Sequence, residues 1–331
     1  MDVPAPVFDP PFRITRASHV VLTARDLPAS RAFYGEIIGL VLTAETADAL
    51  YFRGVEEACH HSLVIRRGTP PACIRVGMRV LTEDDLDRAK AFFESRGCAA
   101  QWVEVAFQDR TLHVTDVAGV PLELVARMPA MPRMTTAFSA HRGGCALRLD
   151  HYQILTPDVR AACEFYMAAG FRLSEYISPA GSSELLGVFL QRKGNPHDIV
   201  FFNGTGPRLH HVAYLAPEVH HLLHACDVAG ALGLGQEVER GPGRHGPGHA
   251  MFVYFRDPDG HRVELFNTHY QMMDLENEPV RWDPSDHRIS YPWGLPAQRK
   301  WFEQATNFLD TPTREPERKP RPVTLESYLA R

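Results

Sequence analysis

Residues 147–155 read Leu147-Arg-Leu-Asp-His151-Tyr-Gln-Ile-Leu155, and an earlier stretch, Arg16-Ala-Ser-His19-Val-Val-Leu22, has the same make-up. Each is an apolar run with β-branched residues and one histidine at its centre, the composition of a buried strand. The segments after them are also alike. Leu27-Pro-Ala-Ser30 opens a helical stretch, Arg31 to Ile38, that ends at Gly39. Thr156-Pro-Asp-Val opens a second helix, through Glu164-Phe-Tyr166, that ends at Gly170. Ser30 and Thr156 suit helix starts, and the two glycines suit helix ends.

The parallel continues. Cys73 to Leu81 reads as a strand, followed by the acidic helix start Thr82-Glu-Asp-Asp85. Its counterpart is Leu209-His-His211-Val-Ala-Tyr-Leu215, followed by a His-rich helix to Cys226. Each half then closes on a turn and an alternating strand: Thr115-Asp-Val-Ala-Gly119-Val-Pro-Leu-Glu123, and Arg256-Asp-Pro-Asp-Gly260-His-Arg-Val-Glu264. Four strand–helix–strand modules, with helices on one face of short curled sheets, predict an α+β fold in two domains. The boundaries expected are 12–130 and 145–270, joined by a linker from Met128 to Gly144. A polar tail, 271–331, carries Trp282, Trp293 and Trp301. Its stretch from Thr311 to Pro322 is expected to be mobile or to lie on another subunit.

Composition agrees with a globular chain. The chain has 331 residues, 44% hydrophobic and 23% charged, with a formal net charge of −5. A prior of about 150 residues per domain suggests two. No long basic run precedes the tail, which argues against a nucleic-acid partner. No stretch is long and apolar enough to span a membrane, and Met1 to Pro11 is not a secretory signal. The six cysteines are scattered without a C-x-x-C pair, and are expected as free thiols in a reducing cytoplasm. The glycine- and proline-dense segment Glu237 to Gly248 reads as a shaped loop. It lacks the strand-to-helix context of a phosphate loop.

The repeat also bears on chemistry. Among 17 histidines, superposing the halves sets His19 opposite His151, Val76 opposite His211 and Glu123 opposite Glu264. The second half thus has His, His and Glu on three strands, the donor set of a facial metal triad with open positions for substrate and oxygen. The first half has lost one member and is expected to be a decayed site. His197, before the strand Ile199-Val-Phe-Phe, could serve as an acid or base. Tyr254 could donate a hydrogen bond to a bound oxygen, and Arg240 or His245 could face a ligand.

The second half resembles the type I extradiol ring-cleaving dioxygenases of the vicinal oxygen chelate superfamily, nearest to the homoprotocatechuate and catechol 2,3-dioxygenase group. The matching segments are Leu149-Asp-His151, Arg192-Lys-Gly with His197-Asp198, Gly206-Pro-Arg-Leu-His-His211-Val-Ala, Glu239-Arg-Gly-Pro-Gly-Arg-His-Gly246 and His261-Arg-Val-Glu264. The resemblance implies a fold of four βαβββ modules. It implies that His151, His211 (not His210) and Glu264 ligate Fe(II), or Mn(II) in some relatives. It further implies that His197 is the acid/base and that Tyr254 is a hydrogen-bond donor. Arg240 and His245 fall on the substrate side. A catechol and O2 would meet at the metal and the ring would open beside the diol, giving a semialdehyde-type product. A homo-oligomer is expected by analogy.

Three positions depart from the homoprotocatechuate pattern. Gln153 replaces Asn, Phe189 replaces Trp, and the segment Asp286-His-Arg288 lacks an adjacent arginine pair, with Arg288 as the candidate to compensate. An arginine fewer weakens the case for a substrate carboxylate, because the guanidinium grips carboxylates through a bidentate charged fork. The other readings are a hydroquinone 1,2-dioxygenase of the same superfamily, which can use the same triad, and a non-catalytic ligand-binding relative, which needs none.

Overall fold

A computed structural model describes residues 3–319 and 321–330. Met1, Asp2, Pro320 and Arg331, which belong to the leading and trailing segments named above, lie outside the described residues. The strand–helix–three-strand pattern occurs four times. The first module is β1 (Ile14–Ala24), α1 (Leu27–Ala32), β2 (Val41–Glu45), β3 (Ala49–Arg53) and β4 (Leu63–Arg67). The second is β5 (Cys73–Val80), α2 (Glu83–Glu94), β6 (Ala100–Val103), β7 (Thr111–Thr115) and β8 (Pro121–Val125). The third is β9 (Arg148–Thr156), α3 (Val159–Ala168), β10 (Arg172–Ile177), β11 (Gly187–Gln191) and β12 (Ile199–Asn203). The fourth is β13 (Arg208–Leu215), α4 (Val219–Ala231), β14 (Val238–Arg244), β15 (Met251–Arg256) and β16 (Arg262–Asn267). Each half forms one sheet, in the order β2-β3-β4-β1-β5-β8-β7-β6 and β14-β15-β16-β13-β9-β12-β11-β10. The second is the first read backwards, so the two sheets are built alike. Their central strands are buried almost throughout, which is why they read as near-continuous apolar runs.

The helix starts differ from expectation. Asp26 caps α1, accepting from Ala29 N–H at 3.1 Å, and Asp158 caps α3, accepting from Ala161 N–H at 2.9 Å. Ser30 already lies inside the helix and donates to the Asp26 carbonyl. Thr156 is still strand. The ends agree: α1 continues through a π-helical turn (Phe33–Ile38) to Gly39 at φ 81°, and α3 stops before Gly170 at φ 91°. Both are left-handed positions that favour glycine. The His-rich helix α4 runs on to Ala231 rather than stopping at Cys226.

The halves interlock reciprocally. The Tyr34 hydroxyl of the first half donates to Asp257 in the closing turn of the second, at 2.9 Å. The Tyr166 hydroxyl of the second half donates to Asp116 in the closing turn of the first, at 2.7 Å. The repeated Phe-Tyr and the repeated turn aspartate are therefore halves of one contact made twice. Between the sheets, the Tyr152 hydroxyl donates to the His19 and Gly77 carbonyls, at 2.7 and 2.8 Å. One apolar core, from Phe12 to Phe308, runs through both halves.

Two segments correct the sequence reading. Residues 238–244 are strand, not loop. Pro242 is tolerated because β14 is the edge of its sheet, with register breaks on both sides of Arg240. The tail is docked on its own chain. β17 (Val280–Trp282) pairs in parallel with β10 and covers that otherwise open edge. After α5 (Arg299–Glu303), β18 (Thr306–Asn307) pairs with Arg208 and Leu209, which project beyond the reach of β16. Arg314 and Gly206 then exchange backbone hydrogen bonds at 2.7 and 3.0 Å, before α6 (Leu325–Leu329). No helix among the described residues is long and apolar enough to cross a membrane. All six cysteines are free.

Candidate metal centre

Strands β16, β13 and β9 lie side by side in the second sheet. Ala213 on β13 is level with His151 on β9 and Glu264 on β16. Its methyl group is the smallest side chain that keeps the row filled, and it leaves space between the two larger groups. His211 lies two residues earlier on β13, hence on the same face. The consequence is convergence. His151 Nε2 and His211 Nε2 lie 3.3 and 3.1 Å from the same oxygen, Glu264 Oε2. All three residues are buried, and among the described residues they are the one His/Cys/Asp/Glu group tight enough to hold a metal ion.

The hydrogen bonds behind them fix the tautomers. His210 Nε2 lies 2.8 Å from the Trp301 carbonyl, so that nitrogen must carry a proton. Burial holds His210 well below the ordinary histidine range, so it is neutral and its Nδ1 is an acceptor. His211 Nδ1, 2.8 Å away, must then donate, which leaves the His211 Nε2 lone pair facing Glu264. On the other side, His151 Nδ1 donates to Asp150 at 2.9 Å, which leaves Nε2 as the nitrogen turned to the same oxygen. Two imidazole nitrogens and a carboxylate converging on one spot call for positive charge between them, a proton on His151 or a metal cation. Glu264 Oε1, buried and without a hydrogen-bond partner, adds to the deficit. Nitrogen and carboxylate donors with open positions suit a divalent iron or manganese ion.

Charge follows the same lines. Burial opposes ionisation of Glu264, but the three histidines around it hold its carboxyl well below the usual range. Burial pushes His211 down to about 4, against the pull of Glu264. Burial also opposes charge on His151, but Asp150 and Glu264 outweigh it and raise the group. His197 packs edge-on to His151 with ring centroids 4.2 Å apart. Burial, then the neighbouring His151, His269 and Lys193, hold it well below its ordinary value, so its ring is neutral. Its Nδ1 is buried without a partner. Phe189 lies 5.3 Å from it. Tyr254 is the cross-strand neighbour of Glu264, with its ring 5.3 Å from His211. Burial and Glu264 keep its hydroxyl protonated. His245 stacks on Phe252, and its Nε2 is 3.6 Å from Glu264 Oε1. Gln153 is level with His211 on β9.

Arg240 lies behind this layer. Its guanidinium is 4.2 Å from the Trp301 ring and 4.7 Å from the Phe252 ring, and donates to the Ser290 carbonyl. Arg288 does not join the group: its side chain is exposed and forked onto Asp286. Several neighbours escaped the sequence reading. Asp150 was in plain view beside His151. His269, 4.7 Å from His197, and Asn195, which donates to Asp150 at 2.6 Å, carry no local signal.

The first half repeats the constellation with several exchanges, one of them in the metal triad itself. Gly77 is level with both His19 and Glu123, as Ala213 is with His151 and Glu264. The counterpart of His211, two residues earlier, is therefore Arg75, not Val76. A one-residue slip turns the side chain to the other face, and Val76 is indeed in the core. His113 takes the place of Tyr254, level with Glu123. His61 takes the place of His197 and lies 5.4 Å from His19. Glu123 is surrounded by its own neighbours: His19 Nε2 at 2.7 Å, His113 Nε2 at 2.6 Å and Gln108 Nε2 at 2.6 Å.

Comparison with known proteins agrees with this architecture. Residues 16–124 and 148–265 each match the model of the Glyoxalase/Bleomycin resistance protein/Dioxygenase superfamily. The chain is 26% identical over 302 residues to a manganese-dependent 2,3-dihydroxybiphenyl 1,2-dioxygenase of Geobacillus genomosp. 3, covering 86% of this chain and 95% of that one. A homoprotocatechuate 2,3-dioxygenase structure from Arthrobacter globiformis superposes with a TM-score of 0.87 at 34% identity, over 94% of this chain and 95% of that one. An extradiol ring-cleaving dioxygenase from B. fuscum gives 0.90 at 33%, over 96% and 90%. With both halves matched by the superfamily model and these relatives aligned nearly end to end, the chain belongs to the Glyoxalase/Bleomycin resistance protein/Dioxygenase superfamily, among its extradiol dioxygenases.

Proposed function

We propose that this protein cleaves a catechol-type diol with O2 by the extradiol route, at a divalent iron or manganese ion held by His151, His211 and Glu264. The observation that carries the reading is the pair of imidazole Nε2 atoms, each ring held by a hydrogen bond at its Nδ1, that converge on one carboxylate oxygen. When bound, the ion would supply Lewis acidity and redox capacity for the reaction of the diol with O2. His197, neutral in its buried setting, takes a proton from the catechol and returns it as the ring opens. Tyr254 stays protonated and donates a hydrogen bond toward developing negative charge. Phe189 and Phe252 keep water from the reacting atoms. Both atoms of O2 enter the ring-opened semialdehyde-type product. Gln153 and His245 orient the substrate, Arg240 supports the aromatic wall from behind, and Arg288 has no part in this. We place the protein in the cytoplasm, on its free thiols, as a homo-oligomer.

The test is oxygen uptake by metal-loaded protein over catechol, substituted catechols and hydroquinone, with absorbance of a yellow product followed in parallel. Uptake with catechols and colour support the reading. Uptake with hydroquinone alone transfers the site to the related hydroquinone chemistry, and no uptake with any diol ends the proposal.

A further inference from the structure

Glu175, in the middle of β10, is 1% exposed. It is the cross-strand neighbour of Phe189, so it shares a face with the ring that packs on His197. Burying a carboxylate is costly unless its oxygens are hydrogen-bonded. Three neutral donors reach this one, and they come from three separate segments. Gly248 N–H donates to Oε1 at 2.7 Å, the Tyr270 hydroxyl to Oε1 at 2.8 Å, and Trp282 Nε1–H to Oε2 at 2.6 Å.

These segments border the acid/base. At Gly248, φ is 67°, and a Cβ there would stand 2.9 Å from the His269 ring and 3.4 Å from His197 Cε1. The backbone at that point therefore lies directly against His197. The same loop carries His245, beside Glu264. Trp282 braces it from outside: a Cβ on Gly246 would be 2.6 Å from the indole. One carboxylate thus ties together the loop 245–249, the segment after β16 and the tail strand β17.

We propose that Glu175 is a positioning residue for the substrate side of the site: it clamps loop 245–249 onto His197 and so fixes where the catechol ring rests against that imidazole. The inference rests on the extradiol reading. A carboxylate is suited to the task because both oxygens accept. A glutamine turns an NH2 toward one set of donors and keeps only part of the clamp.

The experiment is oxygen-free titration of metal-loaded protein with catechol, for wild type, Glu175→Gln, Glu175→Ala and Trp282→Phe, with metal content and melting temperature read alongside. Sub-ångström misplacement of a binding wall is worth on the order of tenfold or more, so Glu175→Ala should weaken catechol binding at least about tenfold at unchanged metal content. Glu175→Gln and Trp282→Phe should fall between it and wild type. If Glu175→Ala does not fold, Trp282→Phe, which removes one donor and keeps a ring, decides the matter. A folded, metal-loaded variant that binds catechol as wild type does overturns the proposal, as does a loss of affinity that only tracks loss of metal. Failure of the wild type itself to bind or cleave any catechol removes the extradiol reading, and this proposal with it.

Discussion

His210 and His211 are adjacent, equally buried and of one residue type, yet only His211 faces Glu264. The difference lies in strand alternation and in what the second ring leans on. Spacing could not choose between them; the family motif did. His210 still acts, because its acceptor nitrogen sets the tautomer of His211. Replacing it with alanine should weaken metal binding about 10- to 100-fold, read by competition with a chelator, while the fold persists. His197→Phe should keep metal content and lower turnover by roughly 10²- to 10⁴-fold, the usual share of a general acid/base. An unchanged rate would remove it from the proton path. At this scale His151 and Glu264 were legible in the sequence because each has a counterpart in the repeat, His19 and Glu123; His211 has none of its own type there, and the family motif assigned it. The Val76 assignment failed because superposing strands from sequence alone leaves the register open by one, and in a strand one residue is a change of face.

Whole elements were legible where local chemistry is strong. The four modules announced themselves as strand–helix–strand repeats through apolar runs, glycine stops and turn aspartates, while the full βαβββ pattern came from the family resemblance. At the acidic start of α2, Thr82 and Asp85 form a reciprocal capping box. Thr82→Ala should therefore cost about 1 kcal/mol by denaturant titration, with activity intact. The elements that were missed are held by partners far away in sequence. Nothing inside the tail says that β17 will close the edge of β10, or that β18 will find Arg208 and Leu209. Nothing in Arg240-Gly-Pro-Gly-Arg244 overrides its loop-like composition except the neighbouring β15, which pairs with it. The Asp26 and Asp158 caps lost out to Ser30 and Thr156 only because several good capping residues stood close together.

Across the molecule, the interlocking of the halves has a signature in acid. Asp116 is buried, and burial raises its carboxyl from 3.8 to about 6, even though Tyr166 and backbone N–H groups donate to it. Between these values the folded state keeps a proton that the unfolded chain has released, so this group's contribution to stability falls as pH rises through the window. A shift of this size corresponds to roughly 2–3 kcal/mol. Asp116→Asn should consequently compare better with wild type near neutrality than near pH 4, as read by melting temperature at about pH 4 and about pH 7. The halves also make a matched pair for metal. His19→Ala should leave metal content per chain as it is, whereas Arg75→His removes the misplaced cation and supplies the missing imidazole. The expected outcome by elemental analysis is a rise from one toward two ions per chain; an unchanged count would mean that Gln108 and His113 have sealed the cup around Glu123. The two tyrosine–aspartate bonds carry a further implication. A chain consisting of one half alone, paired with an identical copy, would satisfy both of them with no other half present. The contact that joins the two sheets thus has the reciprocal geometry of a two-fold dimer interface inside one chain, and a chain cut within residues 128–144 should reassemble from its two fragments.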